Sequence, residues 1–293
     1  HSALILHTPR RRATWPLPEP FCTFDYRRFC LLAYAGTEAE FRQTAVLGRA
    51  PRGVLTAAGE IPARLLVDAT GWRAVLAGDP ARRRGEARMM AFGIETEIAT
   101  PFEAGLHFYF LPEVRDGYAW AFPCGGTVRF GVLSYLGRTR LADALGAFLA
   151  RFGLRPAAIH GGFLASGLRP PVADGVFLAG DAAGHCLPLS GEGIRTAVRA
   201  GFKVGELLRQ VLDGQATLAQ AQAAYAAFSA RARRPFRALT AGNVALLLMP
   251  LGLTAAAAAV LSRPWMLDRF MRHYLAVFAD ARPGPSAFAA APR

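Results

Sequence analysis

At 293 residues, with 53% hydrophobic and 19% charged side chains, the chain is long enough for one large core or two domains and too apolar for a disordered protein. A net charge of +13 would suit nucleic acid or an anionic membrane, but all except one of the 34 basic residues are arginine (the exception is Lys203), scattered among alanines with short runs at 10–12 and 82–84. No basic–aromatic interleaving marks an RNA-binding sheet, so nucleic acid is set aside as a partner. The four cysteines without a CxxC pair and six histidines without an HxxxH argue against a metal site.

The chain opens on His1, and residues 1–20 carry charges and prolines where a secretory segment would be apolar, so a cytoplasmic, reducing compartment is the expectation. Residues 21–47 predict a helix starting at Thr23 or Asp25, with Phe29, Leu32 and Ala33 at helical spacing, then a strand near 41–47. Residues 53–75 predict a hairpin turning at Ala58-Gly59 and a buried strand over 63–67 that ends in Asp68-Ala69-Thr70-Gly71. Asp68 there either bonds nearby amides as an Asx turn or belongs to a small-residue turn that a ligand approaches closely. Residues 79–88 are polar and turn-rich, as a crossing between domains would be.

Four strand-like runs follow at 89–98, 106–111, 118–122 and 128–135, with turns at 115–117 and 124–126, a spacing that predicts one antiparallel sheet. Alternation places Tyr118, Trp120 and Phe122 on one face, either as an apolar wall for a long hydrocarbon or as ordinary core. Glu95 and Glu97 share a face in the same way, and are either solvated or candidates for an acid in an apolar pocket. Residues 139–153 form an amphipathic helix ending at Gly153, and 159–167 lead back towards the first domain, so the sheet reads as an insertion.

Residues 175–201 carry the most chemistry. A short apolar strand over 176–179 runs into Gly180-Asp181, then through Gly184 and Pro188 to Gly191-Glu192-Gly193 and a helix beginning near Ile194. Such a strand delivers a lone carboxylate to the carboxyl end of a sheet, where ligands of open α/β sheets bind. The helix start offers unpaired N–H groups and positive partial charge to an anionic or electron-rich ligand. His185 and Cys186 can face that ligand or pack the loop, and Glu192 suits the helix dipole better than acid chemistry. Beyond a helix over about 191–213 and another over 216–238 with basic residues at 231–234, residues 244–261 are free of charge. That length is the lower limit for a membrane span, but Pro250 and Gly252 interrupt it; a core helix pair and an interfacial helix are the other readings. Residues 265–278 repeat an amphipathic apolar–basic pattern.

Three of these motifs together resemble the FAD-dependent reductases and monooxygenases related to geranylgeranyl reductase and lycopene cyclase. The 180–194 block is similar to their second flavin motif. The resemblance implies that Asp181 holds the ribityl chain and that Gly180, Gly184, Pro188, Gly191, Gly193 and Ile194 line the flavin. The turn at Asp68 and Gly71 resembles the strand end beside the adenosine side. Tyr118-Ala119-Trp120-Ala121-Phe122-Pro123 with Gly131 resembles the substrate signature of geranylgeranyl reductases, with Leu133 where a second glycine would stand, a departure that would shorten or redirect a hydrocarbon tunnel.

The resemblance implies an α/β fold: a partial FAD/NAD(P)-binding Rossmann-like domain (residues 1–80 and 161–215), an inserted antiparallel substrate domain (81–160) and a helical C-terminal region (216–293). No GxGxxG opens the chain, so an N-terminally truncated protein is the expectation, with failure to bind FAD as the non-enzymatic alternative. The implied cofactor is FAD, the implied substrate an apolar, prenyl-type molecule whose double bonds are reduced, and the implied electron donor NAD(P)H or a ferredoxin-like protein. Peripheral membrane contact, on the inner face, would suit that substrate. A cyclase-like reaction without net redox change, or a flavin monooxygenase or halogenase, are the alternative chemistries, and no residue is singled out as the catalytic proton donor.

Overall fold

The protein is described by a computed structural model covering residues 1–77 and 90–281. The polar crossing expected at 79–88 lies outside the described residues. In chain order, the first elements are β1 (Ala3–His7), β2 (Arg12–Pro16), α1 (Tyr26–Ala35), β3 (Val46–Ala50), β4 (Gly53–Thr56), β5 (Gly59–Pro62) and β6 (Val67–Asp68). There follow β7 (Ala91–Ala99), β8 (Leu106–Tyr109), β9 (Gly117–Cys124), β10 (Thr127–Ser134), α2 (Leu141–Ala150), β11 (Ile159–Leu164), β12 (Val172–Ala173) and β13 (Val176–Leu178). The rest is helical: α3 (Ile194–Leu212), α4 (Leu218–Arg231), α5 (Arg233–Leu248), α6 (Thr254–Leu261) and α7 (Pro264–Leu275).

Two compact units share the chain, one formed by residues 1–26, 89–164 and 241–275, the other by 27–88, 165–240 and 276–293. This division differs from the expected one. The first 26 residues and the stretch 241–275 belong with the antiparallel sheet.

The first unit is built on a seven-stranded sheet in the order β11-β7-β10-β9-β8-β1-β2. All neighbours are antiparallel except β1 and β8. The four predicted strands are present within two residues at most ends. Residues 159–164, expected to lead away, instead pair with β7 as an edge strand. The short, proline-bounded β1 and β2 gave too little alternation to be foreseen. Val128, Phe130 and Val132 of β10 point to one face and are fully buried against Leu145, Phe148 and Leu149 of α2. Gly153, at φ +70°, ends that helix, and the Leu154 amide closes back on the Leu149 carbonyl.

The second unit holds two small sheets, β3-β4-β5 and β12-β13-β6. The strand expected over 41–47 starts later, at Val46, and the hairpin pairs Thr56 with Gly59, so its turn is Ala57-Ala58. The buried strand expected over 63–67 is a two-residue pairing with Val67 exposed, because Pro62 and the bends at 64–65 break the extended run. The single parallel pair matters most: β6 and β13 run side by side, Phe177 opposite Val67 and Leu178 opposite Asp68. Helix α4 starts in a capping box between Thr217 and Gln220, and its buried Tyr225 hydroxyl donates to the Leu178 carbonyl at 2.7 Å, tying the helix to β13. No single helix among the described residues is long and apolar enough to cross a membrane; the uncharged run at 244–261 breaks at Met249-Pro250 into α5 and α6.

Candidate functional site

In the second unit, β6 and β13 are parallel neighbours, so the turns that follow them, Gly71–Arg73 and Gly180–Ala183, leave the same end of one sheet. This is the end at which open α/β sheets hold ligands. Arg169 clasps the two turns. Its Nη1 donates to the Trp72 carbonyl at 2.7 Å and lies 3.4 Å from the Asp181 and Ala182 carbonyls, while its own amide donates to the Ala183 carbonyl. Nothing in the local sequence pattern of residues 168–171 announced this role.

The two aspartates on these turns have different uses. Asp68 is fully buried; its Oδ1 accepts from the Thr70 amide at 2.9 Å and the Thr70 hydroxyl at 2.6 Å, and its Oδ2 accepts from the Leu76 amide at 2.7 Å. It shapes its own turn, as the Asx reading holds. Gly71, at φ +77°, leaves open space where a side chain would stand. Asp181 is half-buried, and no side chain or amide among the described residues donates to its carboxylate. Burial pushes its carboxyl up, and Arg169 offsets part of that rise. A carboxylate left reachable and without donors at a strand's carboxyl end is fitted to accept hydrogen bonds from ligand hydroxyls.

The loop after Asp181 is held tightly. Gly184 takes φ +67°, and a Cβ there would stand 1.8 Å from the Gly167 carbonyl oxygen, so only glycine fits. Pro188 is buried, Leu189 takes φ +74°, and the Leu187 amide donates to the Glu192 carbonyl at 2.7 Å while Gly191 donates back to Leu187. Gly193 then caps α3 with no side-chain cap, leaving the first-turn amides without intrahelical acceptors. A Cβ on Gly193 would lie 3.7 Å from Asp181 Oδ1 and 3.7 Å from Cys186, so Asp181 and the helix start are neighbours. Ile194 is exposed beside them.

The remaining polar groups of the loop are occupied or inert. Glu192, just before α3, pairs with Arg195, the second residue of the helix, through two contacts at 2.6 and 2.8 Å. Burial pushes the Cys186 thiol up, helped by the negative charges of Asp181 and Glu192, so it stays protonated. His185 is wholly buried with its ring 5.0 Å from that of Phe278; neither nitrogen has a hydrogen-bond partner among the described residues, and desolvation lowers its pKa to about 4. It is neutral at pH 7 and does not serve as a cationic acid.

In the first unit, Tyr118, Trp120 and Phe122 line one face of β9, with Phe108 edge-on to Tyr118 at 5.3 Å and to Phe122 at 5.2 Å. Gly131 lies opposite Trp120 in the register, and a Cβ on it would sit 2.0 Å from the indole. Its lack of a side chain is what lets the indole lie flat across β10. Leu133, in the place of a second glycine, is buried between Tyr118 and Gly93. Pro123 is the last residue but one of β9, its carbonyl accepting from the Thr23 hydroxyl and bonded to the His1 ring. Glu95 and Glu97 lie on this same face, in register with Gly131 and Arg129 respectively. Glu95 is paired with His160 at 2.8 Å, while the Thr127 hydroxyl and Arg129 hold the Glu97 carboxyl below its ordinary value. Phe108, Phe110 and Leu247 join the aromatic face; alternation over the strand-like run 106–111 could have given Phe108 and Phe110, whereas Leu247 comes from a distant helix.

Residues 166–237 match the family described as FAD binding domain, and the Asp181 block lies within this matched stretch. The chain is 32% identical over 119 residues to a digeranylgeranylglycerophospholipid reductase of Methanococcus vannielii, an alignment covering 38% of this chain and 30% of that protein. It is 34% identical over 117 residues to the protein of the same name from Methanothrix thermoacetophila, covering 37% and 30%. The matched stretch is therefore less than a third of the length of these curated relatives. Among solved structures, a geranylgeranyl bacteriochlorophyll reductase-like protein from Thermoplasma acidophilum superposes with a TM-score of 0.69 at 15% identity, over 96% of this chain and 80% of that one. The flavin-dependent brominase Bmp2 gives 0.67 at 16%, over 99% and 77%. Klebsiella pneumoniae HpxO complexed with FAD and uric acid gives 0.63 at 16%, over 96% and 81%. These likenesses show that the chain shares the fold of those proteins.

Proposed function

We propose that this chain is an FAD-dependent oxidoreductase related to geranylgeranyl reductase and reduces carbon–carbon double bonds of an isoprenoid or similar long apolar substrate. The observation that carries the reading is the reachable, donor-free Asp181 carboxylate beside the uncapped start of α3, in a chain whose other unit presents a strip of aromatic rings. Bound FAD, once reduced, supplies hydride. The chain's own residues do the rest. Asp181 accepts hydrogen bonds from the ribityl hydroxyls, the amides of the first α3 turn favour negative charge on the reduced ring, and Gly191 and Gly193 let the ring approach the backbone. Tyr118, Trp120 and Phe122 bind an apolar chain and keep water from it.

A cyclase-like reaction is the weaker reading. It needs a carboxylic acid held protonated in an apolar site, whereas Glu97 is pulled the other way by Thr127 and Arg129 and Glu95 is paired with His160. Contact with the inner face of a membrane fits the same substrate: Leu248, Leu253, Val260, Leu261 and Trp265 are exposed on the helices α5 to α7 and the turn between them, with Arg263 between Leu261 and Trp265 and Arg269 and Arg272 after them in sequence. Flavin absorbance of the purified chain after incubation with FAD tests the cofactor. Its absence would leave the chain as a fragment unable to hold FAD. Product mass after dithionite reduction tests the reaction, since a gain of two hydrogens marks a reductase and an unchanged mass a cyclase.

A further inference from the structure

Glu95 shares its face of the large sheet with the aromatic residues of β9 and is bound to a histidine from the edge strand. His160 of β11 stands opposite Glu95 in the register, Glu95 opposite Gly131 of β10, and Gly131 opposite Trp120 of β9. One row across four strands thus carries an imidazole, a carboxylate, a bare backbone position and an indole. The indole spans that bare position and reaches β7, where a Cβ on Gly93 would lie 3.5 Å from its Cη2. Glu95 comes two residues later on β7, about 7 Å along the strand. The apolar strip therefore gives way directly to the Glu95–His160 pair.

The pair keeps one polar atom in reserve. His160 Nε2 lies 2.8 Å from Glu95 Oε1. A carboxylate only accepts, so Nε2 carries the hydrogen, the bond fixes the ring, and Nδ1 is its second polar atom. No described residue bonds to Nδ1. The His160 side chain is 65% exposed and that of Glu95 26%, so a ligand reaches the ring without displacing protein. An ion pair this exposed adds little to stability, and the fold does not depend on it.

The surrounding charges select the kind of group that fits. Glu97 stands on the same face two residues beyond Glu95, Arg129 is committed to Glu97 at 3.3 Å, and Asp25 adds negative charge beside it. Glu95, Glu97 and Asp25 set a negative field that Arg129 only partly offsets, and a phosphate is repelled there. A hydroxyl carries no charge and both donates and accepts, so it meets Nδ1 whether that atom is protonated or bare.

We propose that Glu95 and His160 form a site for an uncharged hydroxyl head of the substrate, with the imidazole contacting the head and Glu95 holding the imidazole in place. The inference rests on the apolar-substrate reading and narrows it, from any long hydrocarbon to one that ends in an alcohol.

The test is a calorimetric titration of the full chain with farnesol, farnesyl methyl ether (which lacks the O–H) and farnesyl phosphate, alongside the ¹⁵N imidazole signals of His160 assigned through His160→Val. Farnesol is expected to bind about tenfold more tightly than the ether and to shift the His160 signals, and the phosphate to bind more weakly than farnesol. His160→Val should erase the preference for farnesol while leaving affinity for the ether unchanged. Should His160→Val lose its native circular dichroism, Glu95→Gln serves instead: it should move the His160 signals before any ligand is added and lower the preference. Equal affinity for farnesol and the ether, tighter binding of the phosphate, or a preference that survives in a folded variant would overturn the proposal. The ether separates the two readings. An ether that binds as tightly as farnesol sinks the hydroxyl site alone, whereas binding of none of the three sinks the apolar-substrate reading with it.

Discussion

Replacing Gly131 by alanine should disturb Trp120 more than any other small change on the aromatic face. The added Cβ would lie 2.0, 2.3 and 2.6 Å from three indole atoms, far inside contact distance. The backbone has no room to retreat, because β10 is hydrogen-bonded to β9 on one side and β7 on the other along its whole length. The indole must therefore swing away from the sheet, giving up its packing on Gly131 and Gly93. Overpacking of this kind costs about 1–3 kcal/mol, which lowers the melting temperature by roughly 3–8 °C in a chain of this size. Near-UV circular dichroism and thermal unfolding read the two consequences, a changed tryptophan band and a lower midpoint. Gly126→Ala is the control, since its Cβ would meet nothing within 4 Å. A Gly131→Ala protein with wild-type midpoint and tryptophan band would refute the placement of the indole across β10.

Asp181→Asn separates binding from stability. Burial raises the native carboxyl's pKa, so at neutral pH the native state holds an ion it disfavours; the amide should melt higher than wild type at pH 7, with the gap closing as pH falls below the ordinary carboxylate range. The same variant should bind FAD about tenfold to a hundredfold more weakly by flavin-fluorescence titration, because a charged acceptor is lost. His185 sets an acid limit: with a native pKa of about 4 against 6.5 unfolded, the unfolded chain takes its proton first as pH falls. Its contribution is complete above pH 6.5 and declines towards pH 4 by up to about 3 kcal/mol, so His185→Leu should flatten denaturant-measured stability across that window. Asp116→Ala strands four donors in a buried turn and should cost at least about 3 kcal/mol in urea unfolding, while Asp143→Ala, exposed at the start of α2, should stay within about 0.5 kcal/mol.

What the sequence revealed depended on how local each signal was. The strands of the large sheet and the Asp181 block are written in short-range alternation and in glycines at forced positions such as Gly184, so both were legible. The use of Asp68 was legible only as a choice between two roles, and the hydrogen bonds from Thr70 and Leu76 decide that its carboxylate shapes the turn. Tertiary pairing hid the rest. β1 and β2 are five-residue strands whose stability comes from β8 and from each other, and residues 159–164 gain their place by pairing with β7. Arg169 and Leu247 reach their sites from elements with no motif of their own, so only the folded chain shows that one clasps the turns after β6 and β13 and the other completes the aromatic face.

The central claim is tested most directly by adding a polyprenyl substrate to the FAD-loaded chain, reduced anaerobically with dithionite, and weighing the product. The account predicts reoxidised flavin and a product heavier by two hydrogens for each double bond reduced. Flavin that stays reduced beside a substrate of unchanged mass would contradict it.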